Sequence, residues 1–322
     1  MVPVSSEALS LRVRSMSWEA EGILGIELVS ATPGAALPLT QAGAHVDLQL
    51  GQGLWRSYSL THPGERHRWC IAVNHDAASR GGSRWIHETL RPGALIQAQG
   101  PRNHFALDEA APHSVLIAGG IGITPLLAMA RRLTELGRPW ALHYAARTRA
   151  RMAFIAELQA LAGQAGASLD LRCDAEGDAA LNLPALFAQL PLGAHVYACG
   201  PEGLLSAFEA AAKAWPHEQV HLERFVNAQA PATEGGFTVH LARSGRRVAV
   251  LPGQSILDAL EAQGIEPLHS CRQGICGTCE AGVLRGIHDH RDHVLSDSER
   301  AQGQRMMICC SGAKTPELEL DL

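Results

Sequence analysis

Apolar positions along residues 9–108 recur in short alternating runs broken by turns. In His45-Val46-Asp47-Leu48-Gln49-Leu50, for example, Val46, Leu48 and Leu50 share one face of a strand. This texture predicts an antiparallel β-barrel or sandwich. From about residue 114 to 225 the pattern changes, and apolar β runs alternate with helical spacing. The runs are Val115–Ala118, Trp140–Tyr144, Leu169–Cys173, His195–Cys199 and Val220–Phe225. Apolar strands separated by helices predict an α/β doubly wound parallel sheet. Residues 227–236 lack apolar periodicity and hold Pro and Gly, which predicts a linker. Residues 237–322 return to short strands with one helix, Ile256–Gln263, and predict a small α+β unit. The expected division is therefore a multidomain chain of 1–110, 111–226, a linker at 227–236, and 237–322.

A length of 322 residues agrees with two or three domains. The net charge of −5, without a stripe of Lys and Arg, gives no reason to expect nucleic acid. The eight cysteines show no paired disulfide framework, which points to a reducing compartment. Met1–Glu7 has no basic region leading into an apolar stretch, and no run reaches membrane-spanning length. The expectation is a cytoplasmic protein without a membrane partner.

The cysteines carry the most specific chemistry. Cys271 is followed after four residues by Cys276, after two more by Cys279, and after 29 more by Cys309. Four thiolates at this spacing form the ligand set of a plant-type [2Fe-2S] cluster. The rival is a tetrahedral zinc site, whose usual signature is a pair of C-x2-C hooks, and only one hook is present. Gly274 and Gly277 allow the loop to wrap around the irons. Cys310 follows Cys309 directly and leaves the fourth ligand ambiguous by one residue; Cys309 reproduces the plant-type spacing.

Two glycine turns follow strands of the central region. Gly119-Gly120-Ile121-Gly122-Ile123-Thr124-Pro125 ends an apolar strand and opens a helix, where close backbone approach and free N–H groups suit a pyrophosphate. A plain tight turn is the alternative. Cys199-Gly200-Pro201-Glu202-Gly203 ends a later strand at the same carboxyl edge, where open α/β sheets bind ligands. In the first region, Tyr58 can lie against a planar ring, Ser59 can hydrogen-bond a ring nitrogen and Arg56 carries charge for a phosphate. Gly81 and Gly82 expose amides, and Ser83 reads as the N-cap of a helix over 84–90. Cys70 and Cys173 lie in strand patterns and read as core. His288, His290 and His293 stand among charged residues and read as solvated surface rather than a metal site.

The order of Arg56-Ser57-Tyr58-Ser59-Leu60, Gly81-Gly82-Ser83, the Gly119–Pro125 turn, Cys199-Gly200-Pro201 and the C-terminal cysteines resembles the phthalate dioxygenase reductase family of the ferredoxin reductase superfamily. The resemblance runs over nearly the whole chain. It implies an antiparallel β-barrel flavin domain, an α/β NAD domain and a β-grasp ferredoxin domain in one polypeptide. It also implies FMN rather than FAD, and NADH as donor to a Rieske-type terminal oxygenase. By position, Arg56, Ser57, Tyr58 and Ser59 would contact the flavin, and Gly81, Gly82 and Ser83 its phosphate. Gly120, Gly122, Thr124, Gly200 and Pro201 would hold the nicotinamide nucleotide. Ser59, Cys199 and Glu223 would surround the hydride-transfer site, with Phe225 closing over the flavin. The ending Ile308-Cys309-Cys310-Ser311 resembles the family's Cys-Val-Ser ending and again favours Cys309.

Arg147, Arg149 and Arg151 follow the second strand of the central domain, where NAD enzymes place an acidic residue on the ribose 2′-OH. NADPH therefore stays open beside NADH. The expected function is a monomeric reductase passing electrons from NAD(P)H through a flavin to the cluster and on to an oxygenase. The alternatives are a reductase for a diiron monooxygenase or cytochrome, and a redox-sensing iron-sulfur protein.

Overall fold

The computed structural model describes residues 8–77, 79–227 and 229–322. The leader-peptide expectation rests on Met1–Glu7, and the linker expectation includes Ala228; both lie outside the described residues. The chain divides between Arg224 and Phe225 into two compact units. Among the described residues no helix is long and apolar enough to cross a membrane.

The alternating N-terminal segments form β1 (Leu9–Ala20), β2 (Ile23–Ser30), β3 (His45–Leu50), β4 (Leu54–Ser59) and β5 (Trp69–Asn74). After them come helix α1 (Gly82–Glu88) and β6 (Leu95–Arg102). They make one antiparallel sheet in the order β4-β3-β6-β1-β2-β5. The sheet curls: just past β4, the Thr61 N–H donates to the Cys70 carbonyl of β5 at 2.9 Å. Register shifts between Val13 and Ser15 and between Trp18 and Ala20 increase the local twist. Leu11, Val13, Leu28, Val46, Leu48, Trp69 and Ile71 fill the concave side. Asp47, on the other face of β3, is also fully buried; it is ion-paired with Arg102 and accepts the Ser57 hydroxyl at 2.5 Å, so its charge is not stranded.

The central apolar runs become β7 (Ser114–Gly119), α2 (Ile123–Glu135), β8 (Trp140–Ala146), α3 (Ile155–Ala165), β9 (Ser168–Cys173), α4 (Leu183–Phe187), β10 (His195–Cys199), α5 (Glu202–Ala212) and β11 (Val220–Glu223). Every strand pairing is parallel, in the order β11-β10-β7-β8-β9. The chain runs outward from β7 to β9 and then returns to the other side of β7. The crevice outside the carboxyl ends of β7 and β10 is therefore the topological switch point. Val115, Ile117, Val196 and Ala198 bury one face of the sheet against Phe187 and Phe208 of α4 and α5.

The second unit contains β12 (Phe237–Leu241), β13 (Arg247–Val250), α6 (Ile256–Ala262), β14 (Glu280–Arg285), β15 (His288–Asp289), α7 (Asp297–Gln302), β16 (Arg305–Met307), β17 (Gly312–Ala313) and β18 (Glu317–Leu320). Its mixed sheet runs β13-β12-β18-β14-β16, with β12 and β18 parallel at the centre. Helix α6, started by a capping box between Ser255 and Asp258, lays Ile256, Leu257, Ala259 and Leu260 on this core. This is the β-grasp arrangement.

Two local readings are corrected. Gly81, with φ of 96°, is the N-cap of α1, and Ser83 lies inside the helix, where its hydroxyl accepts the Asp76 N–H at 3.3 Å. A left-handed backbone at the entry favours glycine over serine. The histidines are not one solvated cluster. His293 is exposed, but His288 is buried and stands edge-on to His290, whose Nδ1 lies 3.2 Å from the buried Asp292. Asp292 turns the segment inward by accepting the N–H groups of Val294 and Leu295. Cys173 is buried as expected, whereas Cys70 is only half-buried.

Candidate functional site

At the switch point the two glycine turns press against each other. A Cβ on Gly122 would stand 2.2 Å from the Cys199 carbonyl oxygen, and one on Gly119 would stand 2.5 Å from Cδ of Pro201. A Cβ on Gly200 would reach to 3.0 Å of the Gly119 backbone. These glycines are required by packing. Gly120 differs: its φ is 53° and nothing lies within 4 Å of where its Cβ would be, so its backbone faces open space. Thr124 is buried in the first turn of α2, and its hydroxyl donates to the Ile121 carbonyl at 3.1 Å, which holds the turn closed.

Three expected residues converge beside this turn. Ser59, at the end of β4 and buried, hydrogen-bonds the Glu223 carboxyl at the end of β11. The second carboxyl oxygen of Glu223, Oε2, is buried without a partner. Burial pushes the Glu223 carboxyl up to about 8, against a smaller lowering by the Ser59 hydrogen bond. Cys199 pairs with Glu223 across β10 and β11 and is fully buried; desolvation, reinforced by the neighbouring Glu223, drives its thiol well above the usual range. At pH 7 this corner carries neutral groups.

Along the edge strand β4, Leu54 to Tyr58 are all half-buried. Burial raises the Tyr58 phenol above its ordinary range despite the adjacent Arg56. The Arg56 guanidinium donates to the Trp55 and Arg80 carbonyls at 2.7 and 3.3 Å, and its stem covers Gly82, whose Cβ would meet Arg56 Cγ at 3.0 Å. Arg56 and the Gly81-Gly82-Ser83 turn are thus brought together, as an anion would require. The Arg–Gly cradle fits a flavin phosphate, and the orphaned, buried Glu223 Oε2 fits a polar ring substituent. Phe225 is the first residue of the second unit.

In the second unit Cys271, Cys276, Cys279 and Cys309 are buried together. The Cys271 thiol lies within hydrogen-bonding reach of Cys276 and Cys309, and Cys279 within reach of Cys309. Among the described residues no three side chains converge as ligands of a single ion. The four sulfurs form a chain of neighbours in the order Cys276, Cys271, Cys309, Cys279. Backbone N–H groups turn toward them: Gln273 to Cys271 Sγ at 3.3 Å and Gly274 to Cys309 Sγ at 3.2 Å. The Thr278 hydroxyl sits 3.2 Å from Cys276 Sγ. Arg272, Gly274 and Gly277 all take positive φ, of 56°, 66° and 74°. Only two of these are glycines; Arg272 is held by ion pairs to Asp258 and Glu261 of α6, which its sequence position did not announce. Cys310 turns its thiol away, toward the Met307 carbonyl and the site a Gly274 Cβ would fill. Buried thiols, N–H donors aimed at sulfur and a side-chain-free cradle fit a [2Fe-2S] cluster.

Known proteins agree with this geometry. The 2Fe-2S iron-sulfur cluster binding domain family matches residues 239–314. Residues 94–220 match the N-terminal domain of dimethylamine monooxygenase subunit DmmA-like proteins. The chain is 53% identical over 315 residues to phenoxybenzoate dioxygenase subunit beta of Ectopseudomonas oleovorans, covering 98% of this chain and 97% of that one. An intact type IV self-sufficient cytochrome P450 monooxygenase contains the same fold at a TM-score of 0.88 and 44% identity, with 98% of this chain matched to 41% of that chain. Phthalate dioxygenase reductase, a modular structure for electron transfer from pyridine nucleotides to [2Fe-2S], matches at a TM-score of 0.72 and 36% identity over 98% of both chains. With this similarity along its full length, the chain belongs to the phthalate dioxygenase reductase family.

Proposed function

We propose that the protein is the reductase component of a Rieske-type oxygenase system, taking electrons from NADH through FMN to a [2Fe-2S] cluster and delivering them to the terminal oxygenase. The observation that carries this reading is that one chain holds both the Ser59–Glu223–Cys199 corner at a dinucleotide turn and a separate loop of four buried thiols. A bound flavin accepts two electrons as a hydride from a reduced nicotinamide and passes them singly to a one-electron centre.

The chain's own residues then bind and orient. Arg56 and the Gly81-Gly82-Ser83 turn would hold the flavin phosphate, and Tyr58 and Ser59, the latter hydrogen-bonded to Glu223, would hold its ring. Gly120, with its open backbone, and Gly122, Gly200 and Pro201 admit the nucleotide, and Thr124 keeps the turn that receives it. Glu223 holds its own proton at neutral pH, and the protonated Cys199 adds no charge beside the ring. Hydride transfer needs no side-chain acid or base, so the residues here would act by orienting the two groups. Cys271, Cys276, Cys279 and Cys309 ligate the cluster.

The same reading makes the terminal oxygenase the acceptor, the protein a monomer and the cytoplasm its compartment, where the free cysteines stay reduced. Steady NADH-dependent reduction of cytochrome c tests the reading; no turnover with flavin and cluster both loaded would overturn it. A second reading, a reductase serving a cytochrome, is favoured by the match to the self-sufficient P450. Reduction of an oxygenase component in preference to a P450 haem domain separates the two.

A further inference from the structure

The stretch expected as a linker is fastened to the cysteine loop within the second unit. The Asn227 side-chain amide donates to two carbonyls, those of Gln273 at 2.9 Å and Arg291 at 2.7 Å, while its own oxygen accepts the Gln229 N–H at 2.8 Å. Further along, the Ala232 N–H donates to the Cys310 carbonyl at 2.7 Å.

The Gln273 carbonyl belongs to the same peptide unit as the Gly274 N–H, and that N–H donates to Cys309 Sγ at 3.2 Å. A trans peptide is planar, so its oxygen and its N–H point in opposite directions. Anchoring the oxygen fixes the aim of the N–H. The next carbonyl, that of Gly274, accepts the His293 N–H at 2.8 Å, and the path returns through residues 291–293 to the other Asn227 acceptor. Gly274 cannot compensate with a side chain, because a Cβ there would stand 2.3 Å from Cys310 Sγ.

We infer that Asn227 is a positioning residue for the cluster: it orients and polarises the 273–274 peptide so that its N–H dipole points at the Cys309 ligand. The inference rests on the reading that these cysteines hold the cluster. N–H donors to ligand sulfur favour the more negative, reduced cluster and raise its potential, and a donor whose carbonyl is itself hydrogen-bonded is stronger.

The test is a redox titration of the purified holoprotein followed by EPR, on wild type, Asn227→Ala and Asn227→Gln, with chelator extraction of iron alongside. Expected for Asn227→Ala are a lower cluster potential, altered g values and extraction about tenfold faster, with Asn227→Gln lying nearer to wild type. Loss of the cluster from Asn227→Ala but not from Asn227→Gln also supports the inference. Potentials and spectra of Asn227→Ala identical to wild type overturn it, as does equal loss of the cluster from Asn227→Gln. Failure of the wild type to hold a cluster would instead overturn the functional reading.

Discussion

The Ser59 hydroxyl and the Glu223 carboxyl hydrogen-bond across the two sheets of the first unit, joining the end of β4 to the end of β11. This bond brings a flavin-type strand edge to the switch point of a parallel sheet. One oxygen of the carboxyl is partnered and the other is not. The acid therefore stays protonated where an exposed glutamate would ionise.

Stability should depend on pH through Glu223. Its carboxyl moves from an ordinary 4.5 to about 8 on folding, so the folded state binds the extra proton between those values. The contribution is fully present below about 4.5 and is lost as pH rises through about 8, amounting to a few kcal/mol. Thermal unfolding of the flavin-loaded protein from pH 5 to 9 should show this decline. Glu223→Gln, which stays neutral, should flatten it; an unchanged slope would refute the assignment.

Gly122→Ala should destabilise the protein by about 1–3 kcal/mol and weaken nucleotide binding, because the new methyl meets the Cys199 carbonyl. Gly122 has an ordinary φ of −61°, so crowding alone causes the loss. Denaturant unfolding checks the stability and a steady-state NADH titration checks the binding. Gly120→Ala, facing open space at positive φ, should cost about 1 kcal/mol.

Cys276→Ser should reduce cytochrome c reduction to background while NADH oxidation by ferricyanide continues, since the residues proposed to hold the flavin precede Phe225 and include none of the four thiols. Equal loss of both activities would contradict the electron order.

NADH should be preferred to NADPH. Arg147 and Arg149 are exposed, but the Arg149 N–H donates to the Glu176 carboxylate at 2.6 Å. That carboxylate puts negative charge beside the arginines, which disfavours a 2′-phosphate there. Initial rates with the two nucleotides decide the matter, and Glu176→Gln should narrow the difference.

Much of the molecule was legible in the chain. Period-two alternation marks strands of the first sheet where one face is buried, and apolar runs mark the central strands β7 and β10 because both faces are buried. The cysteine spacing carried its own chemistry, since a short loop and one distant thiol suffice to surround a cluster. Elsewhere neighbouring residues misled. Ser83 is a good N-cap by type, but the left-handed entry selected Gly81. His288 looks solvated among charged neighbours, but in the fold it is buried, paired with Ala313 and edge-on to His290.

By itself, then, the sequence determined the types of element, the four thiols and the glycine turns, because each depends on local periodicity or on close spacing. Tertiary structure decided the pairing of Ser59 with Glu223, the raised pKa of that carboxyl, the choice of Cys309 over Cys310 as the thiol facing the others, and the hold of Asn227 on the Gln273 carbonyl. Each of these depends on desolvation or hydrogen-bond direction between segments remote in sequence, which no local pattern encodes.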